Sequence, residues 1–235
     1  MKSAIAMWDA PTVPVDGSDL VFPVRHIYCV GRNYAEHAKE MGGDATKEPP
    51  FFFTKPADAI LPVRPGEVGR MAYPLATASL HHEIEMVVAI GKAGVQFSPE
   101  HALEHVYGYA TGLDMTRRDL QNDMKALRRP WDIAKSFAQA APIGAIVPVA
   151  RGGHRARGAI TLDVNGARRQ TGDLADMIWD VAHTLSFLSR MYELLPGDLV
   201  YSGTPSGVGA VVAGDRLDAY VDGLPSLAIQ IVAAR

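Results

Sequence analysis

The chain has 235 residues, of which 48% are apolar, with 23 Lys and Arg against 26 Asp and Glu and a net charge of −3. That is enough apolar material for a sizeable core, and the absence of any basic run excludes a nucleic-acid or anionic-membrane binder. The single cysteine, Cys29, excludes an internal disulfide, and no apolar run in the sequence is long enough to span a bilayer as a helix.

In chain order, residues 1–9 lack the apolar core of a signal peptide, because Trp8 and Asp9 arrive too soon, so a soluble cytoplasmic protein is expected. Residues 1–25 read as a short β-rich extension with a turn at Val15-Asp16-Gly17-Ser18, and residues 26–235 as the main domain. A strand over 26–30 carries Cys29, which reads as a buried small hydrophobe. A short helix over 33–41 ends at Gly42-Gly43, a strand follows over 51–54, and 55–80 reads as irregular β and loop. Strands are expected over 83–90 and 106–113, with a short helix near 99–104 between them. A helix over 116–127 opens on Thr116-Arg117-Arg118-Asp119, a capping-box pattern with Asp in place of Glu. Asn165-Gly166 marks a hairpin between 160–164 and 167–170. Leu174, Met177, Ile178, Val181, Leu185, Leu188 and Met191 predict one long helix over 173–195, ended by Pro196-Gly197. Strands over 198–202, 216–221 and 227–232 close the chain. Strands dominate, which predicts an α+β protein on a rolled or barrel-like sheet.

The chemistry concentrates in a few places. In Glu83-Ile84-Glu85, residues two apart on a strand share a face, with Cα atoms about 6.6 Å apart. Either both acids meet solvent on an open sheet face, or they hold a cation that relieves the cost of burying them. Asp114, at the end of the next apolar segment, is a candidate third ligand, and such an oxygen set suits Mg²⁺ or Mn²⁺. His37 and Glu40, three apart on a predicted helix, form either a surface pair or a dyad able to activate water. Arg118 and Gln121 follow Asp114 on one helix, and Lys135 sits in an apolar segment where it must find an anion or a route to water. Tyr201-Ser202-Gly203-Thr204-Pro205 follows a strand and reads either as a plain tight turn or as an anion site using backbone N–H groups and the Thr204 hydroxyl.

Together these segments resemble the fumarylacetoacetate hydrolase (FAH) family, and within it the short acylpyruvate hydrolase branch. The resemblance rests on Gly31-Arg32-Asn33-Tyr34 with His37 and Glu40, Phe53-Thr54-Lys55-Pro56, His81-His82-Glu83-Ile84-Glu85, Leu113-Asp114-Met115-Thr116, Arg118-Asp119-Leu120-Gln121, Ala134-Lys135-Ser136-Phe137 and Ser202-Gly203-Thr204-Pro205. They occur in family order and cover roughly residues 26 to 232. The resemblance implies a mixed β-sandwich roll with few helices, a homodimer, and a hydrolase that cleaves the carbon–carbon bond of a 2,4-dioxo acid with Mg²⁺ or Mn²⁺. It implies metal ligands at Glu83, Glu85 and Asp114, catalytic residues at His37, Glu40 and Lys135, and substrate contacts from Arg118, Gln121, Lys135 and Thr204. The segments around Phe51 and Asp114 are similar to the bacterial fumarylpyruvate hydrolases of the gentisate pathway, which implies fumarate and pyruvate as products. That substrate has a second carboxylate, for which Arg32, Lys55 and Arg117 are the candidate cations. The alternatives are an oxaloacetate decarboxylase or related 2-oxo acid lyase or isomerase, and a non-catalytic metal-binding homologue.

Overall fold

The computed structural model describes residues 3–36 and 49–234. Among them strands dominate, and the α-helices are short. The central sheet has eight strands. In order they are Phe51–Lys55, Ile27–Gly31, Leu199–Tyr201, Ile84–Ile90, Val106–Leu113, Ala141–Ile143 and Ile60–Pro62, with Val147–Pro148 also paired to Val106–Leu113. The sheet is mixed: Leu199–Tyr201 runs parallel to Ile27–Gly31 and antiparallel to Ile84–Ile90. A second sheet of five strands runs Ala167–Asp173, Ala159–Val164, Arg216–Val221, Leu227–Val232, Val68–Ala72. A small third sheet joins Thr116–Arg117, Leu80–His82 and Gly209–Val211. The architecture is the expected α+β mixed sandwich.

Ile84–Ile90 is buried along its whole length, and its alternation shows why. Ile84, Met86, Val88 and Ile90 point to one face, where they pack with Ile160, Leu162, Leu217 and Ile229 of the five-stranded sheet. Val87 and Ala89 point to the other face, into a second cluster with Cys29, Leu199 and Tyr201. That second face is covered by the hairpin of Thr12–Pro14 and Val21–Pro23, through Val13, Val15, Phe22 and Val24. Each such side chain contributes about 1.5–3 kcal/mol on burial, so a strand apolar on both faces is held firmly in register. Cys29 is fully buried, as expected, and burial pushes its thiol well above the usual range.

The hairpin turn forms as expected. Val164 pairs with Ala167, and Asn165 and Gly166 both have positive φ, at 53° and 77°. Two expectations fail. The helix over 173–195 is a strand end, a 3₁₀ turn at Leu174–Asp176 and a helix only over Val181–Ser189. Asn33 is the reason: its backbone carbonyl accepts from Ile178 N and its side-chain oxygen from Trp179 N, so residues 178–179 are bound elsewhere. Asp180 then caps the true helix by accepting from His183 N. The capping box at Thr116 also does not form. Thr116–Arg117 pairs as strand with Leu80–His81, and the helix starts at Arg118 and runs to Ala126. Asp119 instead accepts from Thr77 Oγ1 at 2.6 Å and Ala78 N at 2.8 Å, which ties the helix start to the preceding loop.

Candidate active site

The register of the central sheet assembles the acids. Ile84 pairs with Leu113, and one residue further Asp114 N donates to the Glu83 carbonyl at 2.8 Å. Asp114 therefore lies opposite Glu83, and Glu85 shares Glu83's side by the two-residue period of a strand. Glu83 itself sits just outside the strand. The three carboxylates each offer an oxygen, all within 4.8 Å of one another, and all three residues are buried. The solvated-face alternative for the Glu-x-Glu pair is thereby excluded.

Three cations surround the acids unequally. Lys135, at the end of the short helix Asp132–Lys135, donates to Glu83 Oε2 at 2.9 Å, Asp114 Oδ2 at 2.6 Å and Thr116 Oγ1 at 2.6 Å. Burial opposes the charge on Lys135, but Asp114 and Glu83 outweigh it and hold the ammonium above its ordinary value. Lys55 Nζ lies 2.8 Å from Asp114 Oδ1, an ion pair without hydrogen-bond alignment. Arg118 donates to Glu83 Oε1 and to Gln121 Oε1. Glu85 has no cation within ion-pair distance among the described residues; its Oε2 accepts only from Gly203 N, at 2.7 Å. Burial, then Asp114 and Glu83, push its carboxyl well above the usual range, against the pull of that N–H.

Gly203 belongs to the loop after Leu199–Tyr201 and has φ +98°, a conformation that favours glycine. A Cβ there would meet Asn33 Cβ at 2.6 Å. The next residue, Thr204, is held by Gln170, whose Nε2 donates to Thr204 Oγ1 and to Pro205 O, each at 2.8 Å. With its oxygen accepting, the Thr204 hydroxyl keeps its proton to donate to a ligand. The other end of Gln170 accepts from His82 Nδ1 at 2.9 Å and Ile84 N at 3.1 Å, so one amide ties the Thr204 loop to the start of the acid-bearing strand. Burial holds the His82 imidazole below its usual range, against the hydrogen bond to Gln170.

Glu83, Glu85, Arg118, Gln121, Lys135, Thr204 and Arg32 all line one cleft. The fold thus brings together every expected site residue within the described segments. His37 and Glu40 lie outside the described residues. Of the cations considered for a second carboxylate, only Arg32 lines the cleft. Lys55 is turned to Asp114, and Arg117 packs 4.4 Å over the Phe137 ring and donates to Ile133 O. Two residues were missed by sequence reasoning. Gln170 carries no local signal, since its partners are 34 to 88 residues away. Lys125 lines the cleft and was legible: it follows Arg118 and Gln121 at i+7 and i+4 on the same helix face.

The profile of the fumarylacetoacetate (FAA) hydrolase C-terminal region matches residues 26–232. A fumarylpyruvate hydrolase from Ralstonia sp. is 43% identical over 188 residues, covering 80% of this chain and 95% of that one. The oxaloacetate tautomerase YcgM of Escherichia coli (strain K12) is 39% identical over 208 residues, covering 88% and 93%. The crystal structure of fumarylpyruvate hydrolase from Pseudomonas aeruginosa, in complex with Mn²⁺ and pyruvate, matches with a TM-score of 0.97 at 52% identity, covering 99% of this chain and 100% of that one.

Proposed function

The chain belongs to the fumarylacetoacetate hydrolase family, and from that membership we propose that it is a divalent-metal-dependent hydrolase of a 2,4-dioxo acid, splitting fumarylpyruvate into fumarate and pyruvate. The observation that carries the reading is the buried triad of Glu83, Glu85 and Asp114, in which Glu85 has no cation at ion-pair distance among the described residues. A hard dication fits that oxygen set, and Mg²⁺ or Mn²⁺ is the proposed cofactor. The charges support an anionic substrate: three carboxylates face Lys55, Lys135 and Arg118, so a bound dication would add net positive charge that an anion offsets.

When bound, the dication supplies Lewis-acid polarisation of the substrate's carboxylate and 2-oxo oxygens. The chain's own residues do the rest. His37 and Glu40 are the proposed pair that takes a proton from water, and the hydroxide adds to C4. Arg118 and Gln121 donate to the oxygen that gains charge on C4, since Gln121 Oε1 is occupied by Arg118 and its amide nitrogen is left for a ligand. Breaking C3–C4 leaves the electron pair on C3 as the pyruvate enolate, beside the Lys135 ammonium, and the proton taken from water by the His37–Glu40 pair returns to C3 to give pyruvate. Lys135 is positioned there by its bonds to Glu83 and Asp114. Thr204 donates its hydroxyl to the substrate.

Gentisate breakdown, a cytoplasmic location and a homodimer complete the reading; among the described residues, no helix is long and apolar enough to cross a membrane. A second reading, oxaloacetate tautomerisation or decarboxylation, is favoured by the relatedness to the E. coli tautomerase. The test is product analysis with fumarylpyruvate, acetylpyruvate and oxaloacetate, each with Mg²⁺, Mn²⁺ or EDTA. Metal-dependent release of fumarate and pyruvate, faster than either other conversion, is expected. Dominant tautomerisation of oxaloacetate or CO₂ release from it would replace the hydrolase reading with the second one.

A further inference from the structure

We propose that Lys125 binds the far carboxylate of the substrate and so selects dioxo acids whose acyl group ends in an anion. This rests on the hydrolase reading above and adds the residue that reads the acyl chain. Lys125 is on the helix Arg118–Ala126, on the face that carries Arg118 and Gln121 into the cleft. Its Nζ lies 5.1 Å over the Trp131 ring, and no carboxylate of the described residues pairs with it. The Trp131 ring meets Phe51 edge-on at 5.6 Å, and the Arg32 guanidinium lies 5.7 Å over Phe51. Two cations therefore flank one aromatic corner of the cleft. Flat rings beside fixed positive charge suit a planar, conjugated chain ending in a carboxylate.

Six carbon–carbon bonds of about 1.5 Å, in zigzag, separate the two carboxylate carbons of a seven-carbon dioxo diacid by roughly 7.5 Å, so its far carboxylate extends past the C4 oxygen held by Arg118 and Gln121, whereas a four-carbon oxo diacid has no atoms beyond C4. Burial first, and then the neighbouring Arg118 and Arg32, push the Lys125 ammonium down to about 8, and an anion set against it would favour its charged form.

The experiment compares kcat/KM for fumarylpyruvate and for acetylpyruvate, which has the same dioxo head and no far carboxylate, in the wild-type protein, Lys125→Met and Lys125→Arg, with saturating Mn²⁺. The ratio of the two is expected to fall on the order of 30-fold in Lys125→Met, through KM for fumarylpyruvate, and to recover to within about fivefold of wild type in Lys125→Arg. Lys125 is only partly buried, so both variants are expected to fold, and a Mn²⁺-dependent thermal shift equal to wild type verifies it. An unchanged ratio, or an equal loss on both substrates, overturns the assignment. A wild-type protein that hydrolyses acetylpyruvate but not fumarylpyruvate overturns it while leaving the hydrolase class standing. A wild-type protein that hydrolyses neither removes the hydrolase reading, and this assignment with it.

Discussion

Glu85 is an unusual acid for its surroundings. Its neighbours Glu83 and Asp114 each have cations at ion-pair distance, whereas Glu85 has one backbone N–H among the described residues. Without metal this buried carboxylate opposes folding, so Glu85→Gln should be more stable than wild type in EDTA, by about 2–4 °C if the gain is about 1 kcal/mol. The same variant should lose most of the stabilisation by Mn²⁺. Thermal melts with and without Mn²⁺ check both halves; a lower melting temperature in EDTA would show that Glu85 is satisfied in the free protein. Lys125 makes a separate prediction at this scale. Arg118, Arg32 and Lys135 oppose its charge and Glu83 favours it, with burial the largest influence, and the ammonium loses its proton near pH 8. Since kcat/KM reports the free enzyme, its value for fumarylpyruvate should fall as pH rises through about 8, and the fall should move beyond pH 10 in Lys125→Arg. A pH profile identical in the two proteins would sink it.

Elements meet at the site through polar side chains rather than through packing alone. Gln170 belongs to the second sheet, yet it holds His82, the amide of Ile84, Thr204 and the Pro205 carbonyl. Gln170→Leu keeps the volume and leaves all four groups buried without that partner. It should cost on the order of 3 kcal/mol, read by urea denaturation, and should raise KM by loosening Thr204. Leucine at wild-type stability would mean that water replaces the amide. Asn33 does the corresponding work on the other side. Its side-chain nitrogen donates to Trp179 O and Ser202 O, each at 2.8 Å, while its oxygen accepts from Trp179 N. The residue that holds the Thr204 loop through Ser202 O is also the one whose oxygens, accepting from Ile178 N and Trp179 N, break the apolar-periodic stretch 173–195 into a turn and a shorter helix.

At the scale of the whole molecule, the metal and the fold are linked. The triad joins two neighbouring strands, and Lys135, Arg118 and the Thr204 loop close over it, so ligand binding at the triad stabilises only the folded chain. Mn²⁺ at about 100 times its dissociation constant should add about 2.7 kcal/mol, which for a chain of this size is roughly 5–10 °C in melting temperature, reversed by EDTA. No shift in wild-type protein would count against a metal at this site. Sedimentation equilibrium is expected to return twice the chain mass, in keeping with the proposed homodimer.

Much of the site was legible because it depends on local periodicity. The two-residue period puts Glu83 and Glu85 on one side of a strand, and the helical period puts Arg118, Gln121 and Lys125 on one face. The hairpin at Asn165-Gly166 was legible for the same kind of reason: its left-handed dihedrals are a property of two adjacent residues. Neither period says whether an acid is buried, paired or solvated. That was decided by register, which sets Asp114 opposite Glu83, and by which distant groups arrive: Lys135 at both acids, Lys55 at Asp114, Gly203 alone at Glu85. The helix over 173–195 failed because apolar spacing measures only what a helix would bury. Asn33, over 140 residues away in sequence, offered the backbone better-placed partners. Local chemistry along this chain specified the residue types of the site and the faces they occupy, while long-range hydrogen bonding and sheet register specified which of them face one another.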